Sequence, residues 1–246
     1  MKLKKIASLA LAGVMAVSML TACGSNAIDE QPPVDNGGDT TVTGYSAMLE
    51  GKMSTQVKNK TVFQDDTDLN AALDYAVGNV GNDVITNEFL NNVWGLQNIG
   101  GGVRFISYNK AYEGDPLRMV VSTMRDKLDV KANWNGEDDK GTLDNIRPTE
   151  NDDYSNYKKD NVNTLLVYVV DDGVAVTNAL DQIKNSLQST WEGKLYDDFK
   201  ISGDDNSGRD YHYVCSVAVS NRNFESGHGV GVNFIAVEVT RVDGNK

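Results

Sequence analysis

Apolar residues recur at helical spacing in four stretches of the chain. Leu69, Leu73, Ala76, Val77 and Val80 share one helix face, with Asp66 or Thr67 placed to cap it. Thr86 to Leu96 repeats the pattern through Phe89, Leu90, Val93 and Leu96, although Phe89 stands where a capping box needs Glu or Gln. Asp115-Pro116 opens a third helix, pairing a capping acid with a residue suited to the first helical position, and Leu117, Val120, Val121, Met124 and Leu128 continue it. The fourth is the most regular. Val176, Leu180, Ile183, Leu187 and Trp191 step by 4, 3, 4 and 4, while Asp181, Lys184, Asn185 and Gln188 occupy the other face.

Strand-like runs at 102–108, 128–134, 164–170 and 198–201 bracket the last two helices, giving two β-α-β units in series. Leu165 to Val170 is apolar on both faces, which predicts a central strand covered on two sides. The chain closes with Tyr211 to Ser220 and Gly229 to Val242, read as a β-hairpin. If Ser220 pairs with Gly229, then Tyr211, Tyr213, Cys215, Val217 and Val219 lie beside Val230, Val232, Phe234, Ala236 and Glu238 on a core-facing side. The opposite side, with Ser216, Ala218 and Ser220, is small enough for a helix to approach closely. The predicted fold class is therefore α+β: two β-α-β units, whose order is shared by the ferredoxin-like arrangement, plus a C-terminal hairpin and additional N-terminal helices.

The N-terminus follows a different logic. Lys2, Lys4 and Lys5 precede an apolar run from Ile6 to Leu20 that is too short for a permanent span, and Leu20-Thr21-Ala22-Cys23 closes it. This pattern resembles the lipobox signal peptide of bacterial lipoproteins. The resemblance implies that residues 1–22 are removed, that Cys23 is lipidated with palmitate-type chains, and that the protein is anchored in the cell membrane on its extracytoplasmic face. Residues 23–43 contain Pro32-Pro33, Gly37-Gly38 and little that is apolar, as expected of a disordered tether reaching roughly 25 Å. Residues 44–246 then form a single α+β domain or two packed subdomains, helical over 44–99 and α/β over 100–246.

The formal charge is −12, and loss of Lys2, Lys4 and Lys5 with the signal peptide makes the mature chain more acidic still. Such a chain repels phosphate, so nucleic acid is not an expected partner. The acids could recruit a divalent cation, but Ser202-Gly203-Asp204-Asp205-Asn206-Ser207-Gly208-Arg209-Asp210, with alternating oxygens at Asp204, Asn206 and Asp210, fails the EF-hand spacing and reads better as a turn. Asp172, between a strand and the clearest helix, reads as a helix cap. With Cys23 lipidated, Cys215 is alone, so no disulfide framework is expected and the thiol reads as a small core residue.

Catalytic patterns fail in turn. Under the hairpin register above, His212 and His228 stand roughly 30 Å apart, too far to share a metal or a proton. His212 and Ser216 are about 13 Å apart along one strand. Gly100-Gly101-Gly102 precedes a strand, whereas phosphate-cradling loops follow one, so it reads as a turn. The positive candidates are Trp134, Tyr154 and Tyr157, in or beside the long acidic connection from Asn135 to Asn163, whose rings could stack on sugars while Asp and Asn bind hydroxyls. The leading expectation is a non-catalytic module that binds an envelope glycan or a protein partner, with no cofactor. An envelope hydrolase using acidic residues, with or without a divalent cation, is the competing class, and a purely structural envelope component is the third.

Overall fold

The structure is a computed structural model and describes residues 44–80, 96–107, 115–130, 143–146, 162–192, 211–223 and 231–243. Its centre is a six-stranded mixed sheet with helices on both faces. The strands are β1 (Thr61–Phe63), β2 (Leu96–Gly100), β3 (Val103–Ile106), β4 (Val162–Asp171), β5 (Tyr211–Asn223) and β6 (Gly231–Asp243). Their order across the sheet is β1-β5-β6-β4-β3-β2, with β1 parallel to β5 and every other pair antiparallel. The helices are α1 (Tyr45–Lys52), α2 (Thr55–Lys60), α3 (Thr67–Gly78), α4 (Pro116–Leu128) and α5 (Val176–Thr190). No helix among the described residues is long and apolar enough to cross a membrane.

Local chemistry sets the helix starts. Asp66 Oδ1 accepts from the N–H groups of Asp68 and Leu69 at 2.7 and 3.1 Å, fixing the start of α3. Asp115 Oδ1 does the same for Leu117 and Arg118 at 2.9 and 3.3 Å, with Pro116 at the first helical position of α4. α5 departs from expectation. Its cap is Ala175, without a side-chain bond, while Asp171 Oδ1 closes a turn onto the Gly173 N–H and the Asp172 backbone N–H donates to Gly231. The turn between β2 and β3 is built by Gly100, Gly101 and Gly102, all with positive φ. At Gly101 a Cβ would also stand 3.0 Å from Gln182 on α5, so the tight turn and the close helix both call for glycine.

Strand alternation divides the core into two layers. Leu166, Tyr168 and Val170 of β4, Tyr213, Cys215 and Val217 of β5, and Ile235, Val237 and Val239 of β6 meet α1 and α5. Leu165, Val167 and Val169 of β4, with Val232, Phe234 and Ala236 of β6, meet α3 and α4 on the opposite face. Both faces of β4 are therefore buried, as its apolar run implied. Trp191, fully buried, closes the α5 layer and stacks on Phe63 with ring centroids 6.2 Å apart. The N-terminal elements belong to the same assembly: β1 extends the sheet, α1 covers one face and α3 the other.

Four expectations require correction. The β5/β6 register places Ser220 opposite Phe234, not Gly229, because β5 continues through Asn221-Arg222-Asn223. The five-residue shift is odd, so it moves Val232, Phe234, Ala236 and Glu238 to the α3 face. A ferredoxin-like layout keeps its helices on one face, whereas α4 and α5 lie on opposite faces, and β3 runs antiparallel to β4. Leu96 opens β2 and does not end a helix. Leu128 ends α4 and Asp129 caps it in the left-handed region, so the strand expected at 128–134 does not start at Leu128. The rest of that strand, the rest of the helix expected at 86–96 and the strand expected at 198–201 lie outside the described residues. Helix packing against the small residues of β5 does occur, since Ala218 is buried with Leu69 and Leu73 of α3.

Replacing Trp191 with Ala is expected to lower unfolding stability by about 3–5 kcal/mol, because a large buried ring leaves a cavity. Ser46→Ala is expected to cost about 1–3 kcal/mol, because Ser46 Oγ accepts the buried Val217 N–H at 2.9 Å. Urea unfolding of both variants checks these values. A loss below about 1 kcal/mol for Trp191→Ala would contradict the packing described.

Candidate functional site

Glu238 interrupts the apolar run Phe234–Val239 in β6, between Leu165 of β4 and Ser216 of β5. It lies on the face covered by α3 and α4, where its neighbours along β6 are core residues. Asn163, two residues before Leu165 on β4, donates from Nδ2 to Glu238 Oε1 at 2.8 Å. Burial raises the carboxyl above its ordinary value of 4.5, the Asn163 bond partly opposes that, and the charges of Asp66 and Asp68 at the start of α3 raise it further. The result is a partly buried carboxyl that binds its proton more tightly than a free one does, with two acidic side chains adding to the effect.

The other reactive groups serve packing. Cys215 is fully buried between Tyr213 and Val217, and burial, reinforced by Glu238, pushes its thiol far up, away from the nucleophilic thiolate. Burial likewise pushes the Tyr168 phenol up, with Cys215 adding to the effect. His212 is exposed on β5, and His228 lies outside the described residues. Among the described residues no three His, Cys, Asp or Glu side chains converge to hold a metal ion.

Of the residues singled out from sequence, Cys23, Trp134, Tyr154 and Tyr157 all lie outside the described residues. The connection carrying the aromatic set is nevertheless anchored at its middle. A short 3-10 turn, Leu143–Ile146, buries both of its terminal side chains, and Arg241 donates from NH1 to the Ile146 carbonyl at 3.0 Å. Glu238 and Asn163 were missed as a pair. The readable signal was one acid on the core-facing side of an apolar strand, a position the expected register already gave it, while its partner Asn163 on β4 is distant in sequence.

No family model, curated protein or solved structure matches this chain. The functional reading therefore rests on its own residues.

A raised carboxylate pKa means that the folded state binds its proton more tightly than the unfolded chain does. The Glu238 environment accordingly favours folding most below the ordinary value of 4.5, and that advantage is lost as pH rises from there through the folded value. Glu238→Gln keeps an acceptor for Asn163 and removes the ionisation. It is expected to be more stable than the parent at pH 7, with the difference shrinking toward zero as pH falls below 4.5. Urea unfolding at both ends of that range measures this, and a variant less stable at neutral pH would contradict the burial argument.

Proposed function

We propose that this chain is a bacterial lipoprotein whose α+β body works as a non-catalytic ligand- or partner-binding module at the cell envelope. The observation that carries the reading is Leu20-Thr21-Ala22-Cys23 at the end of a short apolar run behind three lysines. Acyl chains on Cys23 hold the chain in the membrane, residues 23–43 span the headgroup region, and the folded body begins at Gly44 on the extracytoplasmic side. The binding partner is an envelope glycan or a protein, met by Trp134, Tyr154 and Tyr157 on either side of the anchored 3-10 turn. A divalent cation is a further candidate ligand for the acidic surface, and nucleic acid is disfavoured by the charge of −12.

One observation favours a second reading, an envelope hydrolase. Glu238 is a partly buried carboxyl whose proton affinity is raised by burial and by Asp66 and Asp68, the direction an acid catalyst needs. Glu238→Gln separates the two. Loss of hydrolysis of wall glycan in a variant of undiminished stability supports the enzyme, and unchanged glycan binding without turnover supports the module.

Cells expressing the full chain with a palmitate analogue are expected to yield a labelled, membrane-bound product. Cys23→Ser is expected to lose the label and shift to the soluble fraction. An unlabelled parent protein would overturn the lipoprotein reading.

A further inference from the structure

The outer edge of β5 is only partly covered. β5 spans 13 residues, whereas β1 spans 3 and pairs from Thr61 opposite Tyr213 to Phe63 opposite Cys215. Beyond β1 the Gln64 N–H reaches the Cys215 carbonyl at 3.1 Å, and the Val217 N–H reaches Ser46 Oγ at 2.9 Å. Those two bonds set the phase of the strand. Odd-numbered residues of β5 aim their backbone groups away from β6, and even-numbered ones bond to it. Val219 and Asn221 therefore present N–H and C=O outward, and among the described residues no group meets them. Asn221 and Asn223 are exposed.

An open edge is commonly blunted by lysine, proline, a bulge or shortness. At the opposite side of the sheet β2 has 5 residues, a register irregularity between Asn98 and Gly100, and a glycine turn at its end. β5 has none of these over Ser216–Asn223, where its register with β6 runs unbroken. The same stretch contains no acid in a chain with 35. Its one cation, Arg222, is directed from NH1 to the Val77 and Gly78 carbonyls at the end of α3, 2.9 Å each.

We propose that Val219–Asn223 pairs antiparallel with the same run of a second copy of this chain, about a two-fold axis at Asn221. The edge is self-complementary in this arrangement. Asn221 faces Asn221 of the other copy, Val219 faces Asn223, and Ser220 faces Arg222, so no like charges stand opposite and about six ladder hydrogen bonds form. An isologous contact of this kind closes after two copies and leaves no further edge of its type. A five-residue ladder buries less than the roughly 1,200 Å² of a standard stable interface, so the dimer is weak and concentration-dependent. Because both bodies are acidic, added salt strengthens it by screening their repulsion.

The test uses the full chain with Cys23→Ser, in which Cys215 is buried. Cα atoms of residues facing each other in a hydrogen-bonded pair are about 5.5 Å apart, a separation a disulfide can span. Asn221→Cys is expected to form a disulfide-linked dimer about tenfold faster than His212→Cys, an exposed control on the same strand, because pairing raises the local thiol concentration. Adding Val219→Pro, which removes an outward N–H and spares the bonds to β6, is expected to abolish the difference. Equal rates for the two cysteine variants, or a difference that survives Val219→Pro in a folded protein, would overturn the proposal. Sedimentation of the Cys23→Ser chain gives an independent reading: a monomer–dimer equilibrium that shifts toward dimer with salt supports the contact, and a monomer at every concentration and salt refutes it.

Discussion

Burial of both faces of the β4/β6 pair is the constraint on which the rest of the molecule depends. Ten consecutive residues of β4, Val162 to Asp171, pair with Arg241 to Val232 of β6, and side chains alternate between two helical layers along that length. The hydrophobic effect is non-directional, but a strand period of two forces it to act on both sides at once, so α1 and α5 must cover one face while α3 and α4 cover the other. Every polar residue at an inward position is then exceptional. Glu238 is the clearest such exception, and its raised pKa is a direct consequence of lying in that pair.

The margins of the sheet are finished by side chains. Ser46 takes an edge N–H of β5, Arg222 collects two carbonyls at the end of α3, and Arg241 holds the turn at Ile146. Each satisfies a backbone group that water would otherwise need to reach. Among the described residues the same accounting leaves the outer groups of Val219 and Asn221 unmatched, and that difference is the basis of the pairing proposed with another copy. The connection between α4 and β4 is pinned at Leu143 and Ile146, both buried, with Arg241 of β6 holding the Ile146 carbonyl.

Much of the fold was legible because local signals agreed with the tertiary outcome. Asp66 and Asp115-Pro116 announced α3 and α4, the spacing from Val176 to Trp191 announced α5, and Leu165 to Val170 announced a strand buried on two sides. α1 and α2 escaped because each is short and held mainly by tertiary contacts such as Leu49 and Val57 in the core. The register of β5 and β6 was misread because Asn221-Arg222-Asn223 has loop composition, yet Asn221 bonds Asn233 across the sheet and Arg222 bonds α3. Those partners are distant in sequence. The same misreading put Glu238 on the face of Tyr213 and Cys215 instead of under α3, so its neighbours Asp66 and Asp68 were not foreseen. The lipidation at Cys23 and the ligand-binding role of Trp134, Tyr154 and Tyr157 are both proposals from the sequence, since all four residues lie outside the described residues.

Amide hydrogen exchange resolved along β6 tests the central placement most directly. A strand flanked on both sides has all its amides bonded, so exchange from Val232 to Thr240 should be uniformly slow and among the slowest in the protein. Fast exchange at every second residue of β6, the signature of an edge strand, would contradict the sheet order and with it the environment assigned to Glu238.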